Sequence, residues 1–158
     1  MKQVFFAMAA LAFSLALAPT YIQAQLPYSE DSYYPSLPAP LEFIEKVDIK
    51  DVFFDTASAR INEDMRTVID ENVSWFKNNP TFLILLEGHT DERGFHDSNL
   101  ELGERRAKAV REYMIAAGVE GWRITIISYG DFRPFALGHD KKSRSLNRRV
   151  HFLFKPDR

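Results

Sequence analysis

The sequence contains no cysteine. Disulfides, thiolate zinc sites, iron–sulfur clusters, a cysteine nucleophile and a lipid linked through cysteine are thereby excluded. Charge of one sign is also lacking: 20 Lys and Arg stand against 22 Asp and Glu, a formal net charge of -2, which excludes a globally basic nucleic-acid binder. There is no glycine-rich phosphate loop and no Gly-x-Ser-x-Gly nucleophile pattern. The 158 residues suit one ordinary domain with a real core and leave too little chain for two.

What is present begins with Lys2 and an apolar run from Val4 to Leu17. That run falls short of the about 20 residues that a membrane-spanning helix needs. With Pro19 behind it and Ile22-Gln23-Ala24 as a small-residue cleavage site, residues 1–24 read as a secretory signal peptide. Residues 25–45 hold Pro27, Pro35, Pro38 and Pro40, together with Glu30, Asp31, Glu42 and Glu45 and no Lys or Arg. So many prolines deny this stretch helix and central strand, so it reads as an extended acidic linker.

Residues 46–158 form the expected globular domain. Asp48 to Asp55 suits a strand. Ile61, Met65, Val68, Ile69, Val73 and Phe76 recur at helical spacing, with Asn62 at the start and Asn78-Asn79-Pro80 as the stop. Thr81 to Leu86 is a continuous apolar run, expected to be a strand buried on both faces or nearly so. Leu102, Val110, Tyr113, Met114 and Ala117 mark a second helix closed by Gly118, with Arg111 on its polar side. Arg123 to Tyr129 reads as a third strand, followed by a long loop and a last strand from Val150 to Phe154. The β-α-β-α-β-β order predicts an α+β sandwich: a four-stranded mixed sheet with its helices packed on it.

One segment reads as a site. From Glu87 to Arg111 the chain leaves the apolar strand, passes a polar turn at Gly94 and enters the second helix. Arg106 lies four residues from both Leu102 and Val110, so it projects from the apolar stripe, and a desolvated guanidinium needs an anionic partner. Helical side chains lean toward the N-terminus, which aims Arg106 at the turn holding Asp91. Two readings follow. In one, Asp91 and Arg106 form an internal salt bridge. In the other, they face a ligand that carries both an ammonium and a carboxylate, the carboxylate in a bidentate fork on Arg106.

Other constellations are weaker. His89 and His96 flank Asp91, but no further metal ligand has obvious spacing, and His89 reads as a packed, hydrogen-bonded strand-end residue. No pair of carboxylates is singled out for catalysis, so the expectation is a protein without enzymatic activity, metal or cofactor. Lys141 to Arg149 is basic but lacks interleaved aromatics, against a nucleic-acid site. Arg148 and Arg149 alternate at a strand start, so one of them points toward the sheet or the pocket.

Gly88-His89-Thr90-Asp91-Glu92-Arg93-Gly94, Asn99, Leu102-Gly103-Glu104-Arg105-Arg106-Ala107, Ser128-Tyr129-Gly130, Pro134, Leu137-Gly138-His139-Asp140 and Asn147-Arg148-Arg149 occur in this order. From about Val47 to Phe154 the chain resembles the C-terminal peptidoglycan-binding domain of outer-membrane protein A, closest to its peptidoglycan-associated lipoprotein branch. The resemblance implies a β/α sandwich that binds peptidoglycan stem peptides non-covalently. It implies diaminopimelate binding by Asp91 and Arg106, with Thr90, Asn99, Leu102 and Arg148 lining or supporting the pocket. The branch's lipidated cysteine is absent, and Thr56-Ala57 stand where the family's first-strand loop offers a Phe-Asp pair. The implied location is the periplasm, with the outer membrane reached through partners and no direct membrane span. The alternative function is an envelope protein-interaction adaptor, with a translocation-system β-propeller as the implied kind of partner.

Overall fold

The computed structural model describes residues 48–157. The expected signal peptide and the linker at 25–45 lie outside the described residues. The elements are β1 (Val52–Phe53), α1 (Glu63–Asn78), β2 (Phe82–His89), α2 (His96–Ala116), a short 3-10 turn (Gly121–Arg123), β3 (Ile124–Gly130), α3 (Lys141–Asn147) and β4 (Arg149–Pro156). They build one four-stranded sheet in the order β1-β4-β2-β3. β2 and β3 run parallel, while β4 is antiparallel to both β1 and β2. This is the expected mixed α+β architecture.

Alternation along the strands sets the core. Ile84 and Leu86 of β2 and Val150, Phe152 and Phe154 of β4 are buried together with Ile69, Val73 and Phe76 of α1 and Ala107, Val110 and Met114 of α2. Leu83 and Leu85, which alternate with the buried Ile84 and Leu86, are only half-buried, so the apolar run of β2 is fully covered on one face and not on both. The rings of Trp75 and Phe154 meet each other and those of Phe76 and Phe82 edge-on or tilted, with centroids 5.1–6.0 Å apart, aromatic contacts that lock α1 onto the sheet.

The helix ends follow local chemistry. Asn62 caps α1 by accepting from the Met65 backbone N–H at 2.9 Å, and Glu63 and Asp64 complement the dipole. α2 closes at Gly118, whose φ of +98° needs a residue without a Cβ. It starts at His96, well before its apolar stripe; His96 to Ser98 are exposed, and Phe95 at the N-cap supplies no side-chain hydrogen bond. Of the expected first strand only Val52 and Phe53 pair, both with β4. The expected long loop contains α3, capped by Asp140, whose Oδ1 accepts from Lys142 N and Ser143 N at 2.7 and 3.0 Å.

Two features place the site. A Cβ on Gly88 would overlap the Gly103 carbonyl, so α2 crosses β2 in direct backbone contact. Arg111 is not an idle polar-side residue: it donates to the Ile124 and Gly121 carbonyls at 3.1 Å each and pins α2 to the start of β3. Together these bring the N-terminal half of α2 to the exit of β2.

Candidate functional site

At that exit lies a cavity of about 390 Å³. β2 leads into Thr90 and Asp91, the following turn supplies Arg93 and Gly94, and α2 supplies Ser98, Asn99, Leu102, Arg105 and Arg106. Thr56 and Ala57 close it from the β1–α1 loop, and Arg148 from the junction of α3 and β4. All six residues singled out in the sequence (Thr90, Asp91, Asn99, Leu102, Arg106 and Arg148) therefore meet around one cavity.

Their pairing differs from the internal salt-bridge reading. Arg106, with no exposed surface, donates from Nε to the Ser58 carbonyl (2.8 Å), from Nη1 to that of His89 (2.7 Å) and from Nη2 to that of Asp55 (3.0 Å). Its guanidinium also sits over the Phe54 ring, 5.2 Å from the centroid. Backbone carbonyls, not Asp91, are its hydrogen-bond partners. Burial, with the like charge of Arg148 second, lowers its pKa to about 10, so it remains a cation at neutral pH.

Asp91 belongs instead to Arg93 and Arg148. Arg93 donates from its backbone N and Nε to Oδ1 (3.2 Å each) and from Nη2 to Oδ2 (2.8 Å), while Arg148 Nη1 reaches Oδ2 at 3.1 Å. Burial pushes the Asp91 carboxyl up, but the bonds from Arg93 and Arg148 outweigh it, and its pKa lies below the usual carboxylate value. Arg148 also donates from Nε to the Phe54 carbonyl at 2.9 Å, tying β4 to the β1–α1 loop.

The remaining residues complete the walls. Asn99 Nδ2 donates to the Asp91 carbonyl at 3.5 Å. Thr90 is held by its backbone N–H on the Gly130 carbonyl at 2.8 Å, while its buried hydroxyl has no protein partner. Ala57, which lines the cavity with Thr56, holds a left-handed φ of +53°, an uncommon backbone for a residue with a Cβ. His89 is packed as expected and stacks on Tyr129 at 5.7 Å, but neither ring nitrogen has a hydrogen bond. Of the two arginines at 148 and 149, the first turns into the cavity and the second lies 3.2 Å from Asp51.

Arg93 and Arg105 were not among the sequence candidates. Arg93 carried a local signal: an Asp-x-Arg-Gly turn lets a side chain fold back on a carboxylate two residues earlier.

The fold and site define a class: an α+β module with a cation-rich cavity where a central strand meets a helix that runs in backbone contact with it. The chain belongs to the OmpA family, which matches residues 53–148. It is 43% identical over 99 residues to the peptidoglycan-associated lipoprotein of Rhizobium meliloti, covering 63% of this chain and 56% of the relative. The chain spans about half the length of the curated relatives it matches. Among solved structures, the peptidoglycan-associated lipoprotein from Burkholderia pseudomallei aligns with a TM-score of 0.64 at 35% identity, covering 66% of this chain and 89% of that one. The C-terminal domain of Helicobacter pylori MotB aligns with a TM-score of 0.64 at 30% identity, covering 69% of this chain and 86% of that one.

Proposed function

We propose that the cavity binds peptidoglycan without covalent chemistry, by taking the meso-diaminopimelate residue of a stem peptide, and that the protein acts in the periplasm to support envelope integrity. The observation that carries this reading is Arg106: a fully buried guanidinium lining the cavity without a carboxylate partner, while the same cavity holds Asp91. Three of its five N–H groups serve backbone carbonyls, and the other two have no protein partner among the described residues. Diaminopimelate ends in one carbon bearing both ammonium and carboxylate. The carboxylate suits Arg106, and the ammonium suits Asp91, where it replaces the half-exposed Arg93. Thr90, Asn99, Leu102 and Arg148 support the site, and the names of the similar proteins support the choice of polymer.

Residues 1–24 would be the export signal and residues 25–45 the tether of the mature chain. An intact mass lacking residues 1–24 and carrying no acyl chain is expected for the exported protein; a retained Met1 or a lipid mass would sink this part.

The decisive measurement is equilibrium binding to a soluble diaminopimelate stem peptide. Asp91→Asn should cost about 2–5 kcal/mol of binding. A peptide with lysine in place of diaminopimelate lacks the second carboxylate and should bind weakly, since it leaves a buried cation unpaired. A folded Asp91→Asn protein that binds like wild type would overturn the reading.

A second reading, an envelope adaptor that binds a partner protein, is favoured by exposed apolar side chains: Phe95, next in the chain to the cavity-lining Gly94, at 84%, and Phe135 and Leu137 of the β3–α3 loop at 68% and 86% exposure. Retention on purified sacculi by the protein alone separates the two readings.

A further inference from the structure

The cavity is lined by four guanidinium groups, of Arg93, Arg105, Arg106 and Arg148, and by the single carboxylate of Asp91. This concentration of positive charge sits in a chain whose formal net charge is -2. Asp91 cannot balance it. Four donors from Arg93 and Arg148 already occupy its oxygens, about as many as a carboxylate accepts. Arg106 has carbonyl partners only. Among the described residues, Arg105 has one ion-pair contact, to Glu101 one turn earlier, at 3.5 Å between two largely exposed side chains. Such a contact contributes little. The charges of Arg148 and Arg105 both act on Arg106 to lower its pKa.

Diaminopimelate does not correct this imbalance. Its amino-acid end is a zwitterion, so it brings one carboxylate for Arg106 and adds a further cation to the cavity. The weakly paired Arg105 stays open to an additional anion from the part of the ligand next to it. In a stem peptide the preceding glutamate is joined through its γ-carboxyl, which leaves its α-carboxylate free beside the diaminopimelate. Amidation turns that group into a neutral carboxamide. Arg105 neighbours Arg106 on α2 and lines the same cavity with its side chain 58% exposed, so it is accessible to a second group of the same ligand.

We propose that Arg105 reads a second, free carboxylate on the bound peptide, the α-carboxylate of the γ-linked glutamate, so that the cavity distinguishes unamidated from amidated peptidoglycan. The proposal rests on the diaminopimelate reading and adds the chemical state of the neighbouring residue to it. An ion pair at this rim is partly solvated, so the preference should be moderate and should weaken with salt.

Two synthetic tetrapeptides test it, L-Ala–γ-D-Glu–meso-diaminopimelate–D-Ala and the same peptide with the glutamate α-carboxamide. Calorimetric titration of the wild-type protein should show the carboxylate form binding about tenfold more tightly, a ratio that shrinks as salt is raised. Arg105→Gln should bring the ratio close to one, with a thermal midpoint near that of wild type to show that the fold persists. Equal wild-type affinity for the two peptides would overturn the proposal while leaving the diaminopimelate reading intact. A ratio that survives Arg105→Gln and is lost in Arg93→Gln would overturn the assignment to Arg105. If the wild-type protein bound neither peptide, both readings would fall.

Discussion

Arg106 of α2 donates to the His89 carbonyl at 2.7 Å, so the buried guanidinium is fastened to the end of the strand that delivers Asp91. The same side chain holds the Asp55 and Ser58 carbonyls from the opposite wall. It therefore organises the cavity before any ligand arrives. Its removal is a structural event as well as a loss of charge.

Arg106→Ala should destabilise the domain by about 3–5 kcal/mol, since it leaves the buried His89 carbonyl and the part-buried Asp55 and Ser58 carbonyls without their donor and empties a fully buried volume. Arg106→Lys should recover only part of that, because an ammonium cannot span three divergent acceptors. Urea denaturation of both variants measures this, and binding is then compared on folded protein alone.

Gly103→Ala should destabilise by about 1–3 kcal/mol. In an exposed helix the same change stabilises by about 1 kcal/mol. The reversal follows from the Cβ it would add, 2.9 Å from the Gly88 carbonyl oxygen and closer still to the Ser128 hydroxyl. A thermal midpoint above wild type would show that α2 does not need backbone contact with β2.

Ala57→Gly should stabilise by about 1 kcal/mol, by relieving the left-handed φ of +53°. Because Ala57 also lines the cavity, the gain in stability should come with weaker ligand binding, as the loop loses its fixed shape. Chemical denaturation and peptide titration on the same sample check both halves.

Two histidines should push the pH dependence of stability in opposite directions. Burial lowers the pKa of His89, against the Glu87 carboxylate 3.7 Å away, so the folded protein holds it neutral. The unfolded chain takes up a proton near pH 6.5, so this group costs stability as the pH falls below about 6.5 and levels off below its folded value. His96 is raised by its hydrogen bond and charge interaction with Asp131. Its contribution is complete below about pH 6.5 and is lost as the pH rises through the folded value. Thermal midpoints between about pH 5.5 and 7.5 should fall less on acidification in His89→Gln than in wild type, and more in His96→Gln.

Much of the fold was legible because periodicity and caps are local properties. Asn62, Gly118 and the apolar steps from Met65 to Phe76 announce their elements without help from the rest of the chain. α3 was not legible: a short polar run carries no apolar stripe, and only Asp140 as a cap hinted at it. β1 shrank to Val52 and Phe53 although β4 runs on to Pro156, because the Asn72 side chain of α1 takes both the N–H and the carbonyl of Lys50, a pairing no local pattern records. In the site, spacing put Asp91 and Arg106 at one end of the sheet, and the structure does the same. The choice of carbonyl partners for Arg106 could not be read, since every residue offers a carbonyl and composition does not mark which one a guanidinium will meet. Arg111 shows the same blind spot on the other flank of α2, where the Ile124 and Gly121 carbonyls made a polar-side residue structural.

The arginines at the cavity also bear on how the domain would carry mechanical load. β1 pairs with β4 through Val52 and Phe53 only, and its next carbonyls, those of Phe54, Asp55 and Ser58, are gripped by Arg148 and Arg106. A pull entering from the residue 48 side while the cavity is held would pass through β1 on its way to these clamps. The short ladder and the guanidinium clamps would then be loaded together in shear, instead of opening one bond at a time like a zip. Ligand seated on the same arginines would stiffen the far end of this path, so the force needed to strip β1 from the sheet would rise with occupancy.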